Sequence, residues 1–281
     1  MLYRVIVYLS AITNKSGLNM GFPEKLSDRE KYIFDNVIAG NFDAKWAEVV
    51  HVIGGVEVKF NVMEDALKID GVRVNVSAKL QQQLADVFDA SLMTVQVADI
   101  VYANAQRRID PAPMTISSTV ASMVKHSTNV ENRLKALSVK EGLVSDPGKH
   151  WILDKKMETS PNRACNYGWH FLGASFQGIN GFPVPSKVNN VNSKQVKVIQ
   201  PNACAHDALH SDYSQVCQLV SQTCWIGGVE KRFSELLVDP DFHVYVSHNG
   251  PLKFTRQPGV PEVKGQVVLF PTKIVVQQGI V

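Results

Sequence analysis

No stretch of this sequence approaches the roughly 20 consecutive apolar residues that a membrane-spanning helix needs, so no membrane span is expected. An excess of one charge is missing too. A formal net charge of +3, with 20% of residues charged, creates no field strong enough to make nucleic acid or an anionic membrane the main partner. Cysteine is scarce: Cys165, Cys204, Cys217 and Cys224 are too few for a disulfide scaffold in a chain of 281 residues. They read as free buried thiols, with a pair such as Cys165 and Cys204 left open and the redox compartment undecided. The Gly-x-Gly-x-x-Gly and Walker loops of nucleotide-binding folds do not occur, nor do a His-Glu-x-x-His helix or a Cys-x-x-Cys knuckle. Gly173-Ala-Ser-Phe-Gln-Gly178 has the wrong spacing for a serine hydrolase elbow.

What is present is apolar material, 45% of the residues, enough for one large core or two smaller ones. The segment 1–12 weakly resembles a signal peptide, but the alternation of Val5, Val7 and Leu9 reads as a buried strand. Helices are expected at 28–39, behind the capping-box pattern Ser27-Asp-Arg-Glu30, and at 78–89 and 95–107. A second capping-box pattern, Thr128-Asn-Val-Glu131, opens a helix to about Leu137. Residues 56–62 alternate as a strand, and 67–76 form a hairpin turning at Asp70-Gly71. Ser145-Asp-Pro-Gly148 is turn chemistry. It divides an N-terminal helical and hairpin region, 1–145, from a C-terminal α+β region, 146–281, unless the two are one continuous domain. The second region reads as Trp151-Ile-Leu153, a polar loop at 178–194, a strand at 196–199, a helix at 212–224 and a Gly227-Gly228 turn. A short helix from Phe233 to Leu237 and strands at 243–246, 267–270 and 274–276 follow. Gly54-Gly55 is also a turn. Without regular βα alternation, the fold class is α+β, with mixed helices and mainly antiparallel strands.

Three of the eight histidines, His170, His206 and His210, share one window with Tyr167, Trp169, Asp212 and Ser214. On this reading Asp212 and Ser214 sit in the first turn of the 212–224 helix, where unpaired N–H groups and the dipole favour negative charge. Ser211, Asp212 and Ser214 are also ordinary helix caps. Imidazole in a polar loop is more often a ligand or a base than a packing group. Three mechanisms are open. His170, His206 or His210 and Asp212 could bind Zn²⁺, with Cys204 as a further ligand. Cys165 could be a nucleophile, with His206 as its base and Asp212 orienting the ring. His170 and His206 could instead act as acid and base without a metal.

Tyr167-Gly-Trp-His170, then His206 followed six positions later by Asp212-Tyr-Ser214, together with Leu219-Val220, Leu236-Leu-Val-Asp-Pro240 and Ser247-His-Asn-Gly250, resemble a family of uncharacterised bacterial and phage proteins. Ala39-Gly-Asn41 and the segment from Leu84-Ala-Asp86 to Ile109-Asp-Pro111 extend the likeness over most of the chain. The resemblance implies catalytic roles for His170, His206, Asp212 and Ser214 and substrate contacts for Tyr167, Trp169 and Tyr213. It passes over His210 and Cys165, and Gln215 stands where the family carries histidine. The function expected is a hydrolase acting on a bacterial cell-envelope polymer. The alternative is a non-catalytic binding protein, such as a virion component or a binder of a host factor or small ligand. No cofactor is expected, zinc being the one alternative.

Overall fold

In the computed structural model, residues 21–172, 188–191, 194–265 and 267–268 are described. The expected strands at 1–12 and 274–276, and most of the expected loop at 178–194, lie outside them.

The first helix, α1 (Leu26–Ile38), buries Ile33 and Val37, as its periodicity requires, but it does not use the capping box. Ser27 bonds to Asp28, and Glu30 accepts the backbone N–H of Ser77 at 2.7 Å. This contact docks α1 beside α2 (Ala78–Val87), which Ser77 itself caps by accepting from Leu80 N–H. Between the two helices, β1 (Trp46–Ile53) and β2 (Val56–Met63) pair through the Gly54-Gly55 turn. The short hairpin β3 (Lys68–Ile69) and β4 (Val72–Arg73) then turns at Asp70-Gly71. The next elements are β5 (Ala90–Ser91), α3 (Val95–Asn104) and β6 (Arg107–Arg108).

The fourth helix, α4 (Val120–Ala136), corrects the second capping-box reading. Thr119 is the cap. Thr128 sits inside the helix, its hydroxyl donating to the Val124 carbonyl at 2.9 Å, and Glu131 pairs with the buried Arg73. The chain continues through β7 (Val144–Ser145), β8 (Lys149–Ile152), β9 (Ala164–Leu172), β10 (Val188–Val191) and β11 (Lys194–His206). It ends, among the described residues, with β12 (Val220–Ile226), β13 (Val229–Arg232) and α5 (Phe233–Val238).

The fold is α+β, and its two larger sheets are antiparallel. One runs β1-β2-β12-β13, with β5 also pairing β12; the other runs β10-β11-β9-β8. Strands from both sides of the Ser145 to Gly148 turn share the first sheet, since Phe60 of β2 faces Cys224 of β12. One apolar cluster likewise joins Phe60 and Leu84 to Trp151, Leu219 and Phe233. No helix among the described residues is long and apolar enough to cross a membrane.

The helix expected at 212–224 is absent. Residues 211–219 turn at Tyr213-Ser214 and thread between β8 and the 67–76 hairpin: Lys149 N–H donates to Ser214 O at 2.7 Å and Val76 N–H to Gln215 O at 2.9 Å. Val216, Leu219 and Val220 match helical spacing only because every residue from Ser211 to Val220 is buried. Burial on all sides erases the periodicity that would separate strand from helix. The strand expected at 243–246 is a 3-10 turn, Phe242–Tyr245, with Val244 exposed.

Candidate functional site

The second sheet builds two polar clusters around β8 and β9, which pair Lys149 with Gly168 and His150 with Tyr167. In a regular strand, side chains alternate faces. Gly168 at φ 127° and Trp169 at φ 59° break that alternation, so the rings of Tyr167 and His170 meet at 5.3 Å. The same kink turns two successive backbone N–H groups, those of Trp169 and His170, onto the Asp146 carboxylate at 3.0 and 3.2 Å. Such a pair of amides forms a small anion nest. Glycine is required here: a Cβ at 168 would come within 3.0 Å of Asp146 Oδ1 and 3.1 Å of the His150 ring.

The His170 imidazole is fully buried and held at both nitrogens. Nδ1 lies 2.9 Å from Asp146 Oδ2 and Nε2 lies 2.8 Å from Asp99 Oδ1, which also accepts the Tyr167 hydroxyl at 2.6 Å. A neutral imidazole has one N–H. Two carboxylate partners therefore call for the imidazolium. Burial opposes that charge, but Asp146, and then Asp99, outweigh it and push the pKa of His170 up to about 9. The same contacts, joined by His150 3.4 Å away, hold Asp146 well below the usual carboxylate range despite its own burial. Tyr102 stacks on the ring at 4.7 Å.

The second cluster centres on Asp212. Its carboxylate accepts the backbone N–H of Ser214 at 2.8 Å, the Ser214 hydroxyl and the Gln215 amide at 3.2 Å, and pairs with Lys149 Nζ at 3.5 Å. Burial lowers the pKa of Lys149, and Asp212 opposes that shift. Above Asp212, His210 Nε2 lies 3.9 Å from its Oδ2, and the His206 and His210 rings stack at 4.0 Å and 10°. Both rings stand edge-on to the buried Trp151. Both are half-buried, whereas Asp212 and Ser214 are buried. Burial, then the charges of His210 and Lys149, lower the pKa of His206.

The structure thus brings His206, His210, Asp212 and Ser214 together, while His170 makes its polar contacts with Asp99 and Asp146. Asp212 and Ser214 are not at a helix start, because the segment makes a turn at Tyr213-Ser214 with no helix after it. Tyr167, Trp169 and Tyr213, expected to touch substrate, are at most 2% exposed. Tyr167 binds Asp99, Tyr213 bridges Met114 O and N at 2.8 and 2.6 Å, and Trp169 lies under Lys149 at 5.6 Å. Cys165 is not a nucleophile, since it is bonded to Cys204 across β9 and β11; Cys217 and Cys224 are free and buried. Among the described residues no group of three His, Cys, Asp or Glu side chains is placed to hold a metal ion.

No family model, curated protein or solved structure matches this chain. The site therefore rests on its geometry. Sequence reasoning passed over Asp99, Asp146, Lys149 and His150. Asp146 was masked by its setting, because an Asp-Pro-Gly run reads as a turn whether or not its carboxylate binds anything. Lys149-His150 was the available signal, a lysine and a histidine directly before the apolar run Trp151-Ile-Leu153.

Proposed function

We propose that the protein is an acid–base hydrolase whose working groups are His206 and His210, with Asp212 and Lys149 fixing them from below. The observation that carries this reading is the half-exposed imidazole pair resting on a buried, ion-paired carboxylate. His206, its pKa lowered, is neutral near pH 7 and able to take a proton from water. The hydroxide so formed attacks the substrate, and His210, whose ring Asp212 orients, gives a proton to the leaving group. Asp212 stays ionised, because against its burial the contact with His210, then Lys149 and the Ser214 hydrogen bonds, hold its pKa low. His170 supports the sheet beneath as a buried cation. A cell-envelope polymer is the substrate class that the resemblance to bacterial and phage proteins implies.

The test is release of soluble fragments from purified peptidoglycan sacculi by the parent, His206→Gln and His170→Gln. His206→Gln should lose roughly 10²-fold or more of the rate, the range for a general base, and melt close to the parent because the ring is half-exposed. His170→Gln should lose stability first. Full activity in His206→Gln would remove the histidine pair from catalysis. Binding to sacculi without turnover in the parent would place the protein among non-catalytic binders.

A further inference from the structure

A cleft of about 380 Å³ opens between the start of β1, residues 64–68, β6 and the loop at 140–143. None of its lining residues belongs to the Asp146 or Asp212 cluster. Its size is that of a small-ligand site. The charged groups around it fall into two kinds. Some are already engaged: Lys68 with Asp65 at 3.0 Å, Glu48 with Lys59 at 3.5 Å, and Lys140 with the carbonyls that end α4. The others, Asp43, Glu64 and Glu141 on the acidic side and Lys45 and Arg107 on the basic side, have side chains with no hydrogen bond or ion pair to another described residue.

Arg107 is the sharpest case. Its Nε is shielded from solvent yet has no acceptor. A buried donor without a partner costs stability that a bound acceptor would recover, and the planar fork of a guanidinium matches a carboxylate or phosphate. Three uncommitted carboxylates around the same cleft repel a multiply charged anion, and they attract a cation. A ligand that carries both signs a short distance apart satisfies both sets.

We propose that this cleft binds a zwitterion of the amino-acid or short-peptide class, its carboxylate on Arg107 and its ammonium among Asp43, Glu64 and Glu141. This is independent of the hydrolytic reading, since no residue is shared. The experiment is calorimetric titration of the full chain, at low salt, with the L-amino acids, glycylglycine, their carboxamides, their N-acetyl forms and inorganic phosphate. At least one zwitterion should bind. Its affinity should fall about tenfold or more on Arg107→Met, and by a similar factor when the ligand is the carboxamide, with little further loss when both changes are combined. N-acetylation should weaken it as well. Arg107→Met should melt with the parent, since the side chain makes no bond in the fold; if it melts low, Lys45→Met supplies the same comparison. The proposal is overturned if no zwitterion binds at concentrations up to about 10 mM, if neither basic variant weakens binding, or if phosphate binds more tightly than every zwitterion.

Discussion

Replacing Asp146 by asparagine isolates the charge that holds the β8 and β9 kink. Asparagine has the same shape and tolerates the positive φ of 44° found at this position, so the backbone has no reason to move. What is lost is the negative partner of His170 and one acceptor for the Trp169 and His170 amides. The folded pKa of His170 is raised from 6.5 to about 9. Its stabilisation is therefore complete below pH 6.5 and disappears as pH rises through 9. At 1.36 kcal/mol per pKa unit the shift is worth roughly 3 kcal/mol at pH 6, and the orphaned amide adds about 1 kcal/mol at any pH. Urea denaturation at pH 6 should then show Asp146→Asn less stable than the parent by about 4 kcal/mol. At pH 10, where the parent has also lost the imidazolium, the difference should shrink to about 1 kcal/mol. The low pKa of Asp146 describes the same ion pair and adds nothing to this sum. A gap that is equal at pH 6 and pH 10, or a variant as stable as the parent at pH 6, would refute a charged His170.

Two other outcomes follow from the same sheet. Thiol titration of the unfolded, unreduced protein should find two reactive cysteines, Cys217 and Cys224, and four after reduction; four before reduction would remove the bridge between β9 and β11. Gly168→Ala should cost roughly 2 kcal/mol or more in the same urea assay, from a φ that alanine resists and a Cβ pressed on Asp146; an alanine variant as stable as the parent would mean the kink is not fixed by this contact.

Much of the fold was legible where one face of an element meets solvent. The strand at 56–62, the hairpin at Asp70-Gly71, the turns at Gly54-Gly55 and Gly227-Gly228, and helices α1, α2, α3 and α5 follow from alternation, helical spacing and turn residues, whereas β12 lies where a helix to 224 was expected. Legibility failed under two conditions. Local hydrogen-bonding residues have more than one use, so Thr128 reads as a cap and yet folds back on Val124 within α4. And where all faces are buried, as from Ser211 to Val220, spacing carries no information about conformation.

The candidate site shows a further limit, set by partners distant in sequence. Histidine and aspartate, as residue types, mark the 165–214 window, but type alone does not separate His170 from His206. The separation comes from carboxylates supplied elsewhere: Asp146 is 24 residues from His170 in sequence and Asp99 is 71. Two such partners turn one imidazole into a buried cation with no free nitrogen for substrate. His206 instead has a second imidazole for a neighbour, a partner that disfavours its charge and leaves it half-exposed. The Tyr-Gly-Trp-His segment thus earns its residues structurally: Gly168 and Trp169 bend the strand, His170 and Tyr167 tie it to Asp99 and Asp146, and the rigid ladder carries Lys149 on the adjoining strand to Asp212. The proposed acid–base chemistry needs the edge of the polar network that solvent reaches, where His206 and His210 stand half-buried, and the buried remainder sets where that edge lies.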